Sequence, residues 1–257
     1  MVEYEYEDME KGQKEARIGL DSEEDIINMI NTNARFRESL RKCIVALGFN
    51  VEKEISAYKD NIKTDIIIRI DDEIGISVKS STKTSFHQLD RRRLEDWKTF
   101  TSMPDDIFEI MKEAILRISR NPKDKFIRNE DREKIAGFFT QHLRAILDEV
   151  FRRGEEKLKL LLINDKQARK IFIFRMDEVL DFLYKNAYNK IRFTDKGIIM
   201  LGDFITIQRK GGDGKHIKIP KTDWEHPGNQ LQFKFSPLKF AKYCEENNVI
   251  RFYVVEY

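Results

Sequence analysis

Residues 64–79 read Thr-Asp-Ile-Ile-Ile-Arg-Ile-Asp-Asp-Glu-Ile-Gly-Ile-Ser-Val-Lys, two apolar runs separated by three acids. β-Branched residues dominate both runs, and each is too short for a helix, so a strand pair is expected here. Side chains alternate across a strand. Ile66, Ile68 and Ile70 therefore share a face and leave Asp65 on the other. Ile74, Ile76 and Val78 likewise share a face and leave Ser77 and Lys79 opposite it. Register decides whether these polar groups meet. A two-residue loop at Asp71-Asp72 pairs Asp65 with Val78 and mixes the faces. A three-residue loop, Asp71-Asp72-Glu73, pairs Ile70 with Ile74, Ile68 with Ile76 and Asp65 with Lys79. The second register buries the apolar residues together and gathers a carboxylate, a hydroxyl and an ammonium on one polar face.

The rest of the chain supplies layers around such a sheet. Residues 1–20 are polar and expected to fray. Asp21 and Ser22 then offer an N-cap, with Ser22-Glu23-Glu24-Asp25 as a capping box. Helical spacing of Ile26, Ile27, Ile30, Leu40, Ile44 and Leu47 carries on, with a break, to Gly48. Further helices are expected from about Asp90, near 105–119 and over 130–153. Lys159–Ile163 and Lys170–Phe174 read as buried strands and Met176–Lys185 as an amphipathic helix. Short strands and glycine-bearing turns follow, then a helix near 237–246 and a strand, Arg251–Glu256. The order implies a mixed α/β class: a central mixed sheet flanked by helices, a helical middle and a β-rich C-terminal region. The expected organisation is a single domain over 1–257, with a core at about 21–100, helices at about 101–155 and the C-terminal region at about 156–257.

Composition narrows the function classes. Charged residues make up 36% of the 257, yet the net charge is only +2. Any nucleic-acid surface must therefore come from local clustering of Lys and Arg. Cys43 and Cys244 are far apart and lie in no CxxC pair, so reduced, buried thiols are expected rather than zinc or a disulfide framework. His87, His142, His216 and His226 lack metal-ligand spacing. No apolar run reaches the roughly 18 residues of a membrane span, and the acidic start is unlike a signal peptide. A cytoplasmic protein with no membrane partner is expected, and the high Lys, Glu and Arg content is of the kind seen in thermophiles.

Asp65, Ser77 and Lys79 together suit phosphodiester hydrolysis. A carboxylate can hold Mg²⁺, which polarises a phosphate and acidifies a bound water. A neighbouring lysine can orient or deprotonate that water and stabilise charge on the phosphoryl oxygens. The spacing alone equally describes an amphipathic hairpin with a salt bridge on its wet face.

Longer stretches separate these readings. Lys63-Thr64-Asp65, Ile76-Ser77-Val78-Lys79-Ser80-Ser81-Thr82-Lys83 and Phe86-His87-Gln88-Leu89-Asp90 occur in that order. So, near the C-terminus, do Thr206-Ile207-Gln208-Arg209-Lys210-Gly211-Gly212-Asp213 and Leu231-Gln232-Phe233-Lys234. Together they resemble the PD-(D/E)xK nucleases, and within them the small type II restriction endonucleases that cut four-base CCGG and GCGC sites. The likeness covers most of the chain and is weakest in its helical middle. It implies a restriction-endonuclease-like fold and Mg²⁺-dependent cutting of double-stranded DNA at a short G·C-rich palindrome. The products implied are 5′-phosphate ends with a short 5′ overhang. Acting as monomer or dimer, such an enzyme works beside a cognate DNA methyltransferase in a prokaryotic cytoplasm. Asp65 is then the metal-binding carboxylate, Lys79 the catalytic lysine and Ser77 a polar group at the metal or its water shell. An acid from the first helix completes such sites; Glu23 matches best, with Glu24 as its neighbour.

The resemblance also implies where DNA is read. Arg209, Lys210 and Asp213 form a chemical set for G·C pairs, since Arg and Lys donate to guanine and an acid accepts from cytosine. Gln208, Lys215, Gln232 and Lys234 add to it, and Phe86 and Gln88 follow the active-site strand closely. Phe86 suits the core equally well. Lys83, Lys98 and Arg91-Arg92-Arg93 are expected on phosphates, which gives affinity without sequence information. Two other readings remain: a repair or junction-resolving nuclease on the same fold, and a DNA-binding module whose site Ser77 has inactivated.

Overall fold

The structure is a computed structural model describing residues 11–52, 54–59, 65–69, 73–211 and 217–257, with side chains from Ser22 onward. The first half holds α1 (Lys11–Thr32), α2 (Ala34–Ala46), β1 (Ser56–Lys59), β2 (Ile66–Arg69), β3 (Glu73–Ser81), β4 (His87–Arg92), α3 (Leu94–Thr101) and α4 (Asp105–Arg120). Next come α5 (Arg132–Arg152), β5 (Leu158–Asp165), β6 (Lys170–Arg175), α6 (Met176–Ala187), β7 (Ile191–Phe193) and β8 (Ile199–Leu201). The last elements are β9 (Ile205–Arg209), β10 (Leu231–Phe235), α7 (Pro237–Asn247) and β11 (Phe252–Glu256). The class is mixed α/β, as the order of segments implied. No helix among the described residues is long and apolar enough to cross a membrane.

The chain divides into two compact units. The first comprises residues 1–84, 155–179 and 241–257; the second comprises 85–154 and 180–240. In the first, six strands run in the order β1-β2-β3-β5-β6-β11. The β3–β5 pair is parallel and the other pairs are antiparallel. A parallel pair needs a long crossover, and the chain supplies it by passing through residues 85–154 of the second unit. Ile66, Ile68, Ile74, Ile76 and Val78 pack with Ile26, Ile30, Leu40 and Ile44 of the two N-terminal helices. Each of these aliphatic side chains removed from water contributes about 1.5–3 kcal/mol before entropy is counted.

Two local expectations change. The capping box at Ser22 does not open a helix: α1 starts at Lys11, and Ser22 is 1% exposed inside it. Its cap-like spacing is overridden because the preceding Lys, Gln, Glu, Ala and Arg residues are good helix formers and extend the helix upstream. Asn33 caps instead, its side chain accepting from Phe36 N at 3.0 Å to start α2. At Asp90 the chain is a strand, not a helix, because β4 has sheet partners that outweigh local helical spacing.

The register of the hairpin also shifts. Ile68 lies opposite Ile74 and Ile66 opposite Ile76, with Arg69 opposite Glu73. Residues 70–72, between Arg69 and Glu73, lie outside the described residues together with Thr64. The expected pairing was displaced by two positions. A displacement of two preserves which side chains share a face, so the apolar residues stay together while Asp65 faces Ser77 rather than Lys79.

The second unit contains an antiparallel sheet in the order β4-β10-β9-β8-β7. Its apolar face includes Leu231, Phe233 and Phe235 of β10 and Ile205 and Ile207 of β9, all nearly or fully buried. Trp97 of α3 is 1% exposed and packs on Phe233 with ring centroids 4.8 Å apart.

Candidate active site

β3 runs to Ser81, but β2 begins only at Ile66, so the β2-facing edge of β3 outruns its partner. Asp65 fills the gap. Its backbone N donates to Ile76 O at 2.9 Å, the last ladder bond. Its carboxylate then takes the place of a strand: Val78 N donates to Oδ2 at 2.5 Å. Ser77 Oγ donates to the same oxygen at 3.0 Å and Lys79 Nζ at 3.2 Å. Lys79 also donates to Ser77 Oγ and to Val78 O, both at 2.9 Å, so the three N–H bonds of its ammonium are all used. The structure thus brings Asp65, Ser77 and Lys79 into one cluster. Both charged side chains are largely shielded, at 18% and 21% exposure.

Glu23 approaches from α1. It is half-buried, whereas Glu24 is exposed. Adjacent helix positions point about 100° apart, so only one of the two acids can turn toward the sheet. Burial pushes the Glu23 carboxyl above its ordinary range and the Asp65 charge adds to this; Lys59 and Lys79 oppose it. Lys59 Nζ lies 3.5 Å from Glu23 Oε2.

The donor chemistry fits a small divalent cation. Among the described residues, every bond to the Asp65 carboxylate ends on Oδ2, which leaves Oδ1 for a cation. Glu23 offers a second hard oxygen donor. Among the described residues no group of three His, Cys, Asp or Glu forms. Two carboxylates with water completing the shell are what Mg²⁺ accepts, because it dehydrates reluctantly. His226 is buried and accepts from Gly228 N at 2.9 Å, and His216 lies outside the described residues. Both cysteines are buried and free, the Cys244 thiol pushed up to about 12 by burial.

The linkage at Glu23 makes a stability prediction. A carboxyl held above its unfolded value favours the folded state while protonated. That contribution is lost as pH rises from the ordinary carboxylate value through the raised one. Glu23→Gln removes the loss. In buffer with a chelator, its Tm is therefore expected to gain on that of the parent as pH increases across that window. Thermal unfolding at a series of pH values reads this; a difference independent of pH contradicts it.

The expected DNA-reading residues sort by strand parity. In β10, Gln232 stands opposite Gln208 and Arg91, and Lys234 opposite Thr206 and Gln88. One face of the sheet therefore carries Gln88, Arg91, Thr206, Gln208, Gln232 and Lys234, with no carboxylate among them. Gln232 Nε2 donates to Gln88 Oε1 at 3.0 Å. Lys210 continues this face two positions after Gln208. Burial lowers its ammonium below the ordinary lysine range, and the Arg91 guanidinium lowers it further.

Arg209, one residue away, has the opposite parity and belongs to the buried face. It is 7% exposed, and its Nε donates to Asn229 Oδ1 at 2.7 Å. Arg209 and Lys210 of the expected G·C set therefore lie on opposite faces of the strand. Of the arginine run, Arg92 turns inward to Asp90 at 2.8 Å and Glu149 at 2.7 Å, stacked over Trp97, rather than outward to phosphates. Arg93 binds Trp224 O at 2.9 Å and Glu225 at 3.0 Å. Phe86 is half-buried and Lys83 exposed. Asp213 and Lys215 lie outside the described residues. Sequence reasoning missed that β4 belongs to this sheet and that Arg91 shares a face with Gln232; His-Gln-Leu-Asp-Arg-Arg has no period-2 alternation to mark it as a strand.

The crystal structure of restriction endonuclease MspI in complex with its cognate DNA is similar to this chain, with a TM-score of 0.57. The match covers 87% of this chain and 91% of that one at 16% sequence identity. The fold is restriction-endonuclease-like. No family model and no curated protein matches the sequence. At this identity the likeness speaks for the backbone arrangement, and the chemistry has to be argued from the side chains themselves.

Proposed function

We propose that this protein is a type II restriction endonuclease of the PD-(D/E)xK kind, hydrolysing double-stranded DNA at a short palindrome with Mg²⁺. The observation that carries this reading is the convergence of Asp65, Ser77 and Lys79 on one carboxylate oxygen at the open edge of β3, in a restriction-endonuclease-like fold. Asp65 and Glu23 would hold the cation. Bound there, Mg²⁺ supplies charge to polarise a phosphoryl oxygen and to lower the pKa of a water.

The residues of the chain do the rest. Val78 N and Ser77 Oγ fix the Asp65 carboxylate so that it costs little reorganisation during reaction. Lys79 is held within reach of the same locus; by exchanging one of its three acceptors it donates to the attacking water or to a phosphoryl oxygen. Ser77 stands where the motif usually has an acid or amide, and its hydroxyl acts on Asp65 and Lys79. The other family-implied features, namely a G·C-rich four-base site, 5′-phosphate ends with a short overhang and a partner methyltransferase, form part of the same proposal.

Digestion of unmethylated phage DNA with and without Mg²⁺, followed by sequencing of the ends, tests it. Discrete ends sharing one palindrome are expected. A smear, or cutting confined to branched DNA, favours a structure-specific nuclease. Tight binding without cutting means that serine at position 77 marks an inactive site.

The polar sheet face yields a separate prediction. Lys210→Ala and Lys234→Ala are each expected to weaken duplex binding evenly across sequences and to reduce the salt slope by about one. Arg209→Ala is expected instead to cost about 1–3 kcal/mol of stability, because Asn229 loses a buried partner. Salt-dependent binding titrations and thermal melts distinguish these effects. An Arg209→Ala protein with unchanged Tm and altered cutting preference contradicts the assignment of faces.

A further inference from the structure

β1 ends at Lys59, which pairs with Ile66, the neighbour of Asp65. Its ammonium lies 3.5 Å from Glu23 Oε2. Each candidate cation ligand is therefore engaged by a lysine of its own, Glu23 by Lys59 and Asp65 by Lys79. The two lysines are held differently. Lys79 has two further acceptors, Ser77 Oγ and Val78 O, and is 21% exposed. Lys59 is 35% exposed, and among the described residues its ion pair is with Glu23. An ion pair of that exposure is weak and exchangeable. Glu23 is the opposite kind of partner: shielded at 17% exposure, beside a second carboxylate and short of compensating charge. A divalent cation entering here must take Glu23 from Lys59 and then stand against the repulsion of the displaced ammonium.

We infer that Lys59 is a positioning residue that competes with the divalent cation for Glu23 and so weakens metal binding. This rests on the reading of Glu23 and Asp65 as cation ligands.

The test is calorimetric titration of Mn²⁺ into the full-length protein in the absence of DNA. Lys59→Met keeps the aliphatic stem and removes the charge; it is expected to bind Mn²⁺ roughly fivefold more tightly. Lys59→Arg restores the charge and should return to the parental affinity, which a merely structural role does not require. In a Glu23→Gln background the gain from Lys59→Met should shrink, because the competition acts through that carboxylate. Unchanged or weaker binding by Lys59→Met overturns the inference, as does an equal gain with and without Glu23. Failure of every form to bind Mn²⁺ overturns the cation site itself, a different result from a site that binds but ignores Lys59.

Discussion

Lys79→Ala is expected to lower the cleavage rate by roughly 10²–10⁴-fold, the contribution of a well-placed proton-transfer or charge-stabilising group. Duplex affinity should barely change, and Tm should fall modestly, because the shielded Asp65 carboxylate loses its cation. The side chain is anchored on Asp65 Oδ2, Ser77 Oγ and Val78 O, all polar atoms, so its removal opens no apolar cavity. Lys79→Arg should not rescue the rate, because a planar guanidinium cannot occupy the space of an ammonium held by three acceptors 2.9–3.2 Å away. Single-turnover cleavage with saturating enzyme separates the chemical step from binding. Asp65→Asn should fail in the same assay, with added loss of divalent-cation binding. An alanine variant at 79 that cuts at the parental rate would place the chemistry elsewhere.

The second large effect is on stability and lies in the other unit. Trp97→Ala is expected to cost about 3–5 kcal/mol, lowering Tm by roughly 10 °C for a chain of this size. Trp97 is 1% exposed, meets Phe233 at 4.8 Å and Phe100 edge-on at 5.9 Å, and supports the Arg92 guanidinium at 4.6 Å. Truncation therefore removes a large apolar group and also one wall of the Arg92 pocket, where Asp90 and Glu149 already hold the charge. Because Phe233 sits between Gln232 and Lys234, the same cavity should loosen the polar face. DNA affinity should fall along with Tm, while the Asp65 cluster belongs to the other unit. Thermal unfolding with a duplex-binding titration checks both; loss of less than about 1 kcal/mol would show the site relaxing around the gap.

How the site could be seen in the sequence follows from parity. Period-2 alternation is local, so the sharing of a face by Asp65, Ser77 and Lys79 was readable from residues 65–79 alone. It survives even though the strand pairing is two positions away from the one expected. The same rule applied to Ile205–Lys210 separates Arg209 from Lys210, and reading that stretch as one basic cluster overlooked it. Chemical type grouped the two as a set for G·C pairs, whereas the strand turns Arg209 onto Asn229. Ser22 misled for a related reason. A capping spacing is a weak local signal, and a run of helix formers upstream overrides it.

Other features had no local signature. Asp90 sits in helix-like spacing, but β10 offers it a strand partner more than a hundred residues away, and the ladder decides. Glu23 and Glu24 are chemically identical in sequence; only the packing of α1 through Ile26 and Ile30 turns Glu23 toward Asp65. Lys59 is one of 47 Lys and Arg residues, and nothing in its surroundings marks it until β1 pairs with β2. The sequence by itself determined most of the elements, the apolar faces and the side of each strand on which a charge stands, because those depend on backbone geometry over a few residues. Tertiary structure alone decided which strands pair, which of two adjacent acids reaches the site and which lysine meets it, because those depend on contacts between segments distant in the chain.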